Sequence, residues 1–486
     1  MANVILFRPI YDSRCRSTPT YPWGLVYLSA MLVERGVDVT IIDEASTPAV
    51  SGSIPPVSGE NIAQTLQDKR PVAVGITAMT GEQIRYGIEF ARLVRKHSKA
   101  AIVWGGVHPS LLPEQTVRHR LVDYVVAGEG EYAFADLVEY LENKEDPSDI
   151  PGVYFVRGAK VLGSRQEMFV DLASLPELPY HLVDPELYIS RRPDLGVERY
   201  FEICTSRGCP HHCGFCYIEG VHRSCWRGLD ADVAVDRIKA LVKRFNLDCV
   251  LFREDNFFVQ RRRVERIAQR LIDENVGIKW AASCRVSYVA NYSPEFIDLL
   301  KRSGCVQLTF GVESGSDRVL NFIRKDITVE QVLETARKMK ESGIRGTYHF
   351  MGGFPTERTG EFLDTCRLID KLIEIAPETV VREMSIFAPY PGVGLIPECV
   401  RLGYREPSGL EGWVDMDWTN PRRAWLDGEQ SRLISDAQFL IARLGHPNAF
   451  VRAWARSRWG QMLRSKNGIR LKERPAIEFL KRHLRA

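Results

Sequence analysis

The chain has 486 residues, 45% hydrophobic and 26% charged, proportions of a soluble globular protein with a sizeable core and room for two to four domains of roughly 100–200 residues each. No uninterrupted apolar stretch reaches about 18 residues, which excludes a hydrophobic membrane span. The formal charge of +3 hides an asymmetry: from Arg443 to Ala486 twelve Lys or Arg stand against two Glu, so the preceding residues are net acidic.

The first residues, Met1 to Arg8, read as a buried strand and lack the basic start and cleavage site of a secretory leader. Eleven cysteines, an odd number at mostly irregular positions, do not form a secreted disulfide framework. Both features point to a cytoplasmic protein. Cys15, Cys249, Cys284, Cys305, Cys366 and Cys399 stand singly; those in apolar runs behave as small hydrophobes.

Residues 1–145 alternate strand and helix signals. Val4–Phe7 is followed by a helix over Gly24–Arg35 that stops at Gly36, then by strand Val37–Asp43. After a polar stretch, Ser46–Gly59, come strand Val72–Thr77, helix Glu82–His97, strands Ala101–Trp104 and Tyr124–Ala127, and helix Tyr132–Leu141. Such alternation predicts a parallel sheet wound on both faces, with ligands outside the carboxyl ends of its strands. The loops there are Pro9–Trp23, Ala78–Gly81, Gly105–Pro113 and Gly128–Glu131. Residues 146–195 read as a linker with a small hairpin at Gly152–Phe155 and Lys160–Leu162.

From 196 to 395 the alternation restarts. Strands are expected at Phe201–Thr205, Cys249–Arg253, Ile278–Ser283, Val306–Gly311, Thr347–Met351 and Val380–Phe387, with helices between them. Six such units suit a partial barrel whose chemistry gathers on the loops after the strands. The first of those loops reads Ser206-Arg207-Gly208-Cys209-Pro210-His211-His212-Cys213-Gly214-Phe215-Cys216-Tyr217. Three thiolates this close can converge on three irons of a [4Fe–4S] cluster. No fourth cysteine follows at matching spacing, which leaves one iron open to a small-molecule chelator. A zinc site completed by His211 or His212, a redox disulfide and a purely structural loop are the alternatives.

The spacing of Cys209, Cys213 and Cys216, with Phe215 before the last and a six-strand β/α pattern after it, resembles the radical S-adenosylmethionine (SAM) superfamily over roughly residues 198–395. The resemblance implies that the open iron binds the amino and carboxylate groups of SAM and that one electron releases a 5′-deoxyadenosyl radical. It also implies roles at later strand ends: Arg285 holding a carboxylate, Glu313 accepting from the ammonium or ribose, and Gly352 and Gly353 admitting backbone close to the ligand. An electron donor such as flavodoxin or ferredoxin is implied as well.

The N-terminal part resembles the cobalamin-binding domain that precedes the barrel in one large subgroup of that superfamily. The matching segments are Pro22-Trp23-Gly24-Leu25, Gly75 to Thr80, Trp104 to Pro109 and Val126 to Glu131. Cobalamin would then lie against Gly24, Gly105, Gly106 and Gly128, with the Thr77 and Thr80 hydroxyls on its amides or phosphate. A D-x-H-x-x-G motif is absent, so no histidine of that kind is expected on cobalt. The expected architecture is thus α/β: a Rossmann- or flavodoxin-like domain, a partial (β/α)6 barrel, and a helical basic region over 396–486.

The expected activity is methylation of an unactivated carbon of a small-molecule substrate with cobalamin as methyl donor. Cyclisation, ring contraction or carbon–carbon coupling without methyl transfer is the alternative, and a non-catalytic cofactor-binding module a remote one. No nucleic-acid partner is expected. Phe450, Val451, Trp454, Trp459 and Leu463, interspersed with Arg452, Arg456 and Arg464, mark residues 443–486 as a candidate for peripheral contact with anionic lipid, or as a helix packed on the barrel.

Overall fold

The computed structural model describes residues 2–10, 20–44, 59–377, 379–381, 384–416, 423–446 and 448–464. Cys15, the polar stretch 46–58, the middle of the Pro9–Trp23 loop and the basic end 465–486 lie outside the described residues.

The first sheet runs, in spatial order, Asp38–Asp43, Asn3–Arg8, Ala73–Thr77, Ala101–Gly105, Tyr124–Val126, Val153–Arg157 and Lys160–Gly163. Its first five strands are parallel, and the hairpin adds two antiparallel edge strands. Strands covered on both faces need apolar residues at every position: Val4, Ile5, Leu6 and Phe7 are each buried. Strand order reverses at Asn3–Arg8, whose neighbours are the second and third strands of the chain. Connections leave to opposite sides there, which opens a crevice at the carboxyl ends.

The second sheet is an open, curled one. Ser190–Arg192 lies antiparallel on Val197–Ile203; Cys249–Phe252, Lys279–Cys284, Cys305–Glu313, Arg345–Gly352 and Val380–Val381 follow, all parallel. Helices Ala231–Phe245, Arg261–Asp273, Pro294–Arg302, Val329–Ser342 and Thr359–Ile375 alternate with them. Local chemistry sets the helix ends. The Asp230, Ser293 and Thr328 side chains accept from first-turn backbone N–H groups, and Asn246 and Gly343 close their helices in the left-handed conformation.

Two C-terminal helices, Gly428–Leu444 and Ala449–Arg464, pack together. Trp454 meets Phe439 edge-on at 6.1 Å and Trp459 is buried. The apolar side that matched a lipid-facing pattern is therefore largely covered by protein, with Phe450 left exposed. No helix among the described residues is long and apolar enough to cross a membrane.

After the barrel, residues 407–416 return to the first sheet. Leu410 and Trp413 are buried in its helix-covered core, the Trp413 indole donates to Gln115 at 2.7 Å, and Gln115 donates to the Pro407 carbonyl at 3.0 Å. Trp413→Ala removes this anchor and leaves the Gln115 side-chain oxygen without its donor. The expected cost is about 3–5 kcal/mol, read as a lower urea midpoint; a midpoint unchanged from the parent shows that the segment contributes no such anchor.

Candidate functional site

The loop that carries the three cysteines is held from below by the next strand end. Glu254, buried, accepts from the Thr205 backbone N–H at 2.7 Å, the Thr205 hydroxyl at 2.5 Å and the Ser206 hydroxyl. Asp255 accepts from the Gly208 N–H at 2.8 Å. Two adjacent carboxylates of one strand end thus fix Thr205, Ser206 and Gly208 on the approach to Cys209.

Each cysteine sulfur faces one N–H donor: Asn256 Nδ2 to Cys209 at 3.7 Å, Arg285 Nη1 to Cys213 at 3.4 Å, and the Ile218 backbone to Cys216. Burial pushes the Cys216 thiol up to about 12, so ionising it requires a nearby positive charge of the kind iron supplies. Three thiols with N–H donors form a donor set that fits an iron–sulfur cluster. Among the described residues no three His, Cys, Asp or Glu side chains are gathered closely enough to share one metal ion; a [4Fe–4S] cube instead takes one thiolate per iron.

His211 is half-buried. Its Nε2 lies 2.8 Å from the Tyr288 hydroxyl, and burial, with help from Arg285, pushes its imidazole down to about 4. His212 is exposed.

The expected SAM-contact residues divide. In Arg285 one terminal nitrogen faces Cys213 and the other donates to the Lys325 carbonyl, while Nε is buried without a partner. Glu313, in left-handed backbone (φ 71°), is ion-paired with Lys325 at 2.8 Å. Lys325 also lies 5.4 Å from the centroid of Phe215. Phe215, Arg285, Glu313 and Lys325 therefore meet around Cys213 at the mouth of the barrel.

A Cβ on Gly352 would meet Phe362 at 2.7 Å, and one on Gly353 would meet Leu426 at 3.1 Å. The space a side chain would need at these glycines is taken by Phe362 of helix Thr359–Ile375 and by Leu426. Glu357 ties this loop together, accepting from the Gly353 N–H at 2.6 Å.

At the crevice of the first sheet lies a cavity of ≈ 270 Å³. Gly24, Thr77, Gly105, Gly106 and Gly128 line it. Gly106 adopts φ 90°, and a Cβ there would meet Thr77 Oγ1 at 2.5 Å, so only glycine fits. Thr80 does not line it; its hydroxyl lies 2.9 Å from His108 Nδ1, on the Trp413 side of the sheet. The Trp23 indole N–H, buried without a partner, belongs to the lining. A glycine floor, mostly apolar walls and an unpaired donor fit a flat macrocycle rich in amide acceptors. Cys204, Arg207, Val221 and His222 of the second unit complete the wall.

The cavity and the cysteine loop are joined by a buried ionic clamp that sequence reading did not find. Glu129 accepts from Arg207 at 3.1 Å, from Arg227 at 2.8 and 3.0 Å, and from the Val170 N–H at 2.7 Å. Arg207 also bonds Glu131 at 2.6 Å and lies over the Tyr27 ring at 4.7 Å. Burial works to raise the Glu129 carboxyl, but the Arg227 hydrogen bond and the two guanidinium charges outweigh it and hold the group below the ordinary carboxylate range. Its charged form is therefore present at neutral pH.

Arg207→Gln leaves two buried carboxylates short of a counter-charge. The expected loss is about 3–5 kcal/mol, with weaker retention of hydroxocobalamin in equilibrium dialysis; an unchanged urea midpoint together with unchanged retention contradicts the clamp. Glu357 gives a pH test. Burial pushes its carboxyl up to about 8, so the folded chain holds a proton that the unfolded chain has released. Its contribution to stability is full in acid and falls as pH rises through 8. Glu357→Gln should flatten thermal stability between pH 5.5 and 8.5; a slope equal to that of the parent contradicts the assignment.

Comparison with known proteins agrees with this geometry. The radical SAM superfamily model matches residues 203–369 and the B12-binding domain model residues 13–138. An uncharacterized methyltransferase of Pyrococcus horikoshii, PH0819, is 30% identical over 400 residues, covering 81% of this chain and 82% of that one. The anaerobic magnesium-protoporphyrin IX monomethyl ester cyclase of Synechocystis is 23% identical, covering 74% and 70%. The structure of OxsB, a cobalamin-dependent SAM radical enzyme with aqua-cobalamin and SAM bound, shares the fold at a TM-score of 0.72 and 18% identity, covering 100% of this chain and 75% of that one. The chain belongs to the radical SAM enzymes that carry a B12-binding domain, and its cofactors are a [4Fe–4S] cluster, SAM and cobalamin.

Proposed function

We propose that this enzyme is a methyltransferase that methylates an unactivated carbon of a small molecule. The observation that carries the reading is the placement of the cavity: its wall is built from residues of both units, and Arg207, two residues before Cys209, belongs to it. When bound, the cluster and SAM supply a hydrogen-abstracting deoxyadenosyl radical, and cobalamin supplies the methyl group.

The chain's own part is positional. Cys209, Cys213 and Cys216 hold the cluster, each sulfur steadied by its N–H donor. The Glu313–Lys325 pair offers one carboxylate and one ammonium at the mouth of the barrel, complementary to the amino and carboxylate groups of SAM. Gly24, Thr77, Gly105, Gly106 and Gly128 support the corrin from the first sheet. The Glu129 clamp holds the two faces at one separation, so that a substrate between them meets both. Electrons reach the cluster from a reduced carrier such as flavodoxin or ferredoxin.

A second reading, cyclisation or carbon–carbon coupling without methyl transfer, is favoured by the resemblance to the cyclase. Anaerobic turnover with trideuteromethyl-SAM separates the two. Methyl transfer yields labelled product together with deoxyadenosine and adenosylhomocysteine. Deoxyadenosine with no adenosylhomocysteine contradicts the methyltransferase and supports the second reading.

A further inference from the structure

The interior of a closed β/α barrel is filled with bulky branched side chains. The interior of this open barrel is filled differently. Gly352 abuts helix Thr359–Ile375 through Phe362, so residues of its parity, Tyr348 and Phe350, point toward the helices, and Thr347 and His349 point inward. Register carries the inward face across the sheet. Thr347 is opposite Thr309, and Thr309 is opposite Ser283. One step deeper, Gln307 is opposite Ala281, Ala281 opposite Leu251, and Leu251 opposite Glu202. Arg253 shares that face two residues beyond Leu251, with its Nε 3.8 Å from Glu202 Oε1.

Three hydroxyls thus line up on adjacent strands beside a carboxylate and a guanidinium. Ser283 and Thr309 are partly accessible and Arg253 is exposed, so these side chains border open space. Below them, Gln307 closes the floor, donating to Thr309 Oγ1 at 3.4 Å and accepting from Arg192 at 3.4 Å. Thr347, 1% exposed, has a hydroxyl with no partner, and so has one buried oxygen of Glu202. Buried polar atoms left unmatched on a face that borders open space are unfavourable unless a ligand or water completes them.

We infer that the Ser283–Thr309–Thr347 row, with Glu202 and Arg253 at its side, is the substrate-recognition face, and that the substrate is a polar molecule which inserts a hydroxyl- or amino-bearing end into the barrel. The inference rests on the enzyme reading above and deepens it by naming the substrate class. An isoprenoid or acyl chain at this face would strip water from these groups and return no hydrogen bond. A site built to hydrogen-bond its substrate also rejects analogues that lack the matching group.

Thr309→Val and Thr347→Val test this, since each keeps a β-branched residue in its strand and removes only the hydroxyl's bonding. The full chain, loaded with cluster and cobalamin, is challenged with the water-soluble and the chloroform-soluble fractions of a cell extract; the visible spectrum of each variant confirms folding and loading. Two responses are read: saturation-transfer NMR signals from the fraction, and the rise in deoxyadenosine release from SAM. The expected result is a response to the water-soluble fraction that is weakened at least fivefold in both variants. A response to the chloroform-soluble fraction alone, a water-soluble response of equal strength in both variants, or no response to either fraction overturns the inference. Neither readout depends on methyl transfer, so a response without adenosylhomocysteine counts against the methyltransferase reading and leaves the substrate class standing.

Discussion

The structure turns on one carboxylate. Glu129 leaves the fifth strand of the first sheet and is buried between the two sheets, where an uncompensated charge is not tolerated. Arg207 and Arg227, both from the second unit, supply the compensation. The backbone of Glu129 is held as well, its N–H and carbonyl both bonded to Gln166. A strand-end loop of one sheet is thereby locked to the residues immediately before the first cysteine of the other. The pairing has a chemical consequence: whatever lies against Gly105 and Gly106 is held in fixed relation to whatever the cysteines bind.

The cysteine loop shows the same economy of parts. Glu254 and Asp255 order the approach to Cys209, and the next residue, Asn256, donates to its sulfur. Arg285, at the end of the third barrel strand, supplies positive charge beside Cys213. N–H donors beside thiolates spread their charge and tune the metal they hold. Strand ends thus act on the cluster loop directly, Arg285 among them.

Much of this was legible in the sequence, for identifiable reasons. Parallel sheets buried on both faces leave continuous apolar runs such as Val4–Phe7, and the punctuation between them marks the succession of strands and helices and the fold class. The cysteine triplet was legible because its spacing lies within one loop. Arg207 and Glu129 each stand in a legible segment, but their pairing spans 78 residues, and no local pattern encodes it. Lys325 was missed for the same reason, since its bond to Glu313 depends on how a later loop folds back. Gly352 and Gly353 show a different limit. A sequence reveals a missing side chain but not which neighbour needs the room, and here the neighbours are Phe362 and Leu426. The C-terminal helix was ambiguous between lipid and protein because both bury the same apolar stripe; Phe439 resolves it for Trp454.

The central claim is that the two cofactor sites face each other across the Glu129–Arg207 clamp. Electron paramagnetic resonance of the chain loaded with both cofactors and partly reduced, so that cluster and cobalt are paramagnetic together, tests it directly. The account expects each signal to be broadened by the other, and the broadening to diminish in Arg207→Gln. Two unperturbed, simply superimposed signals in the parent chain would contradict it.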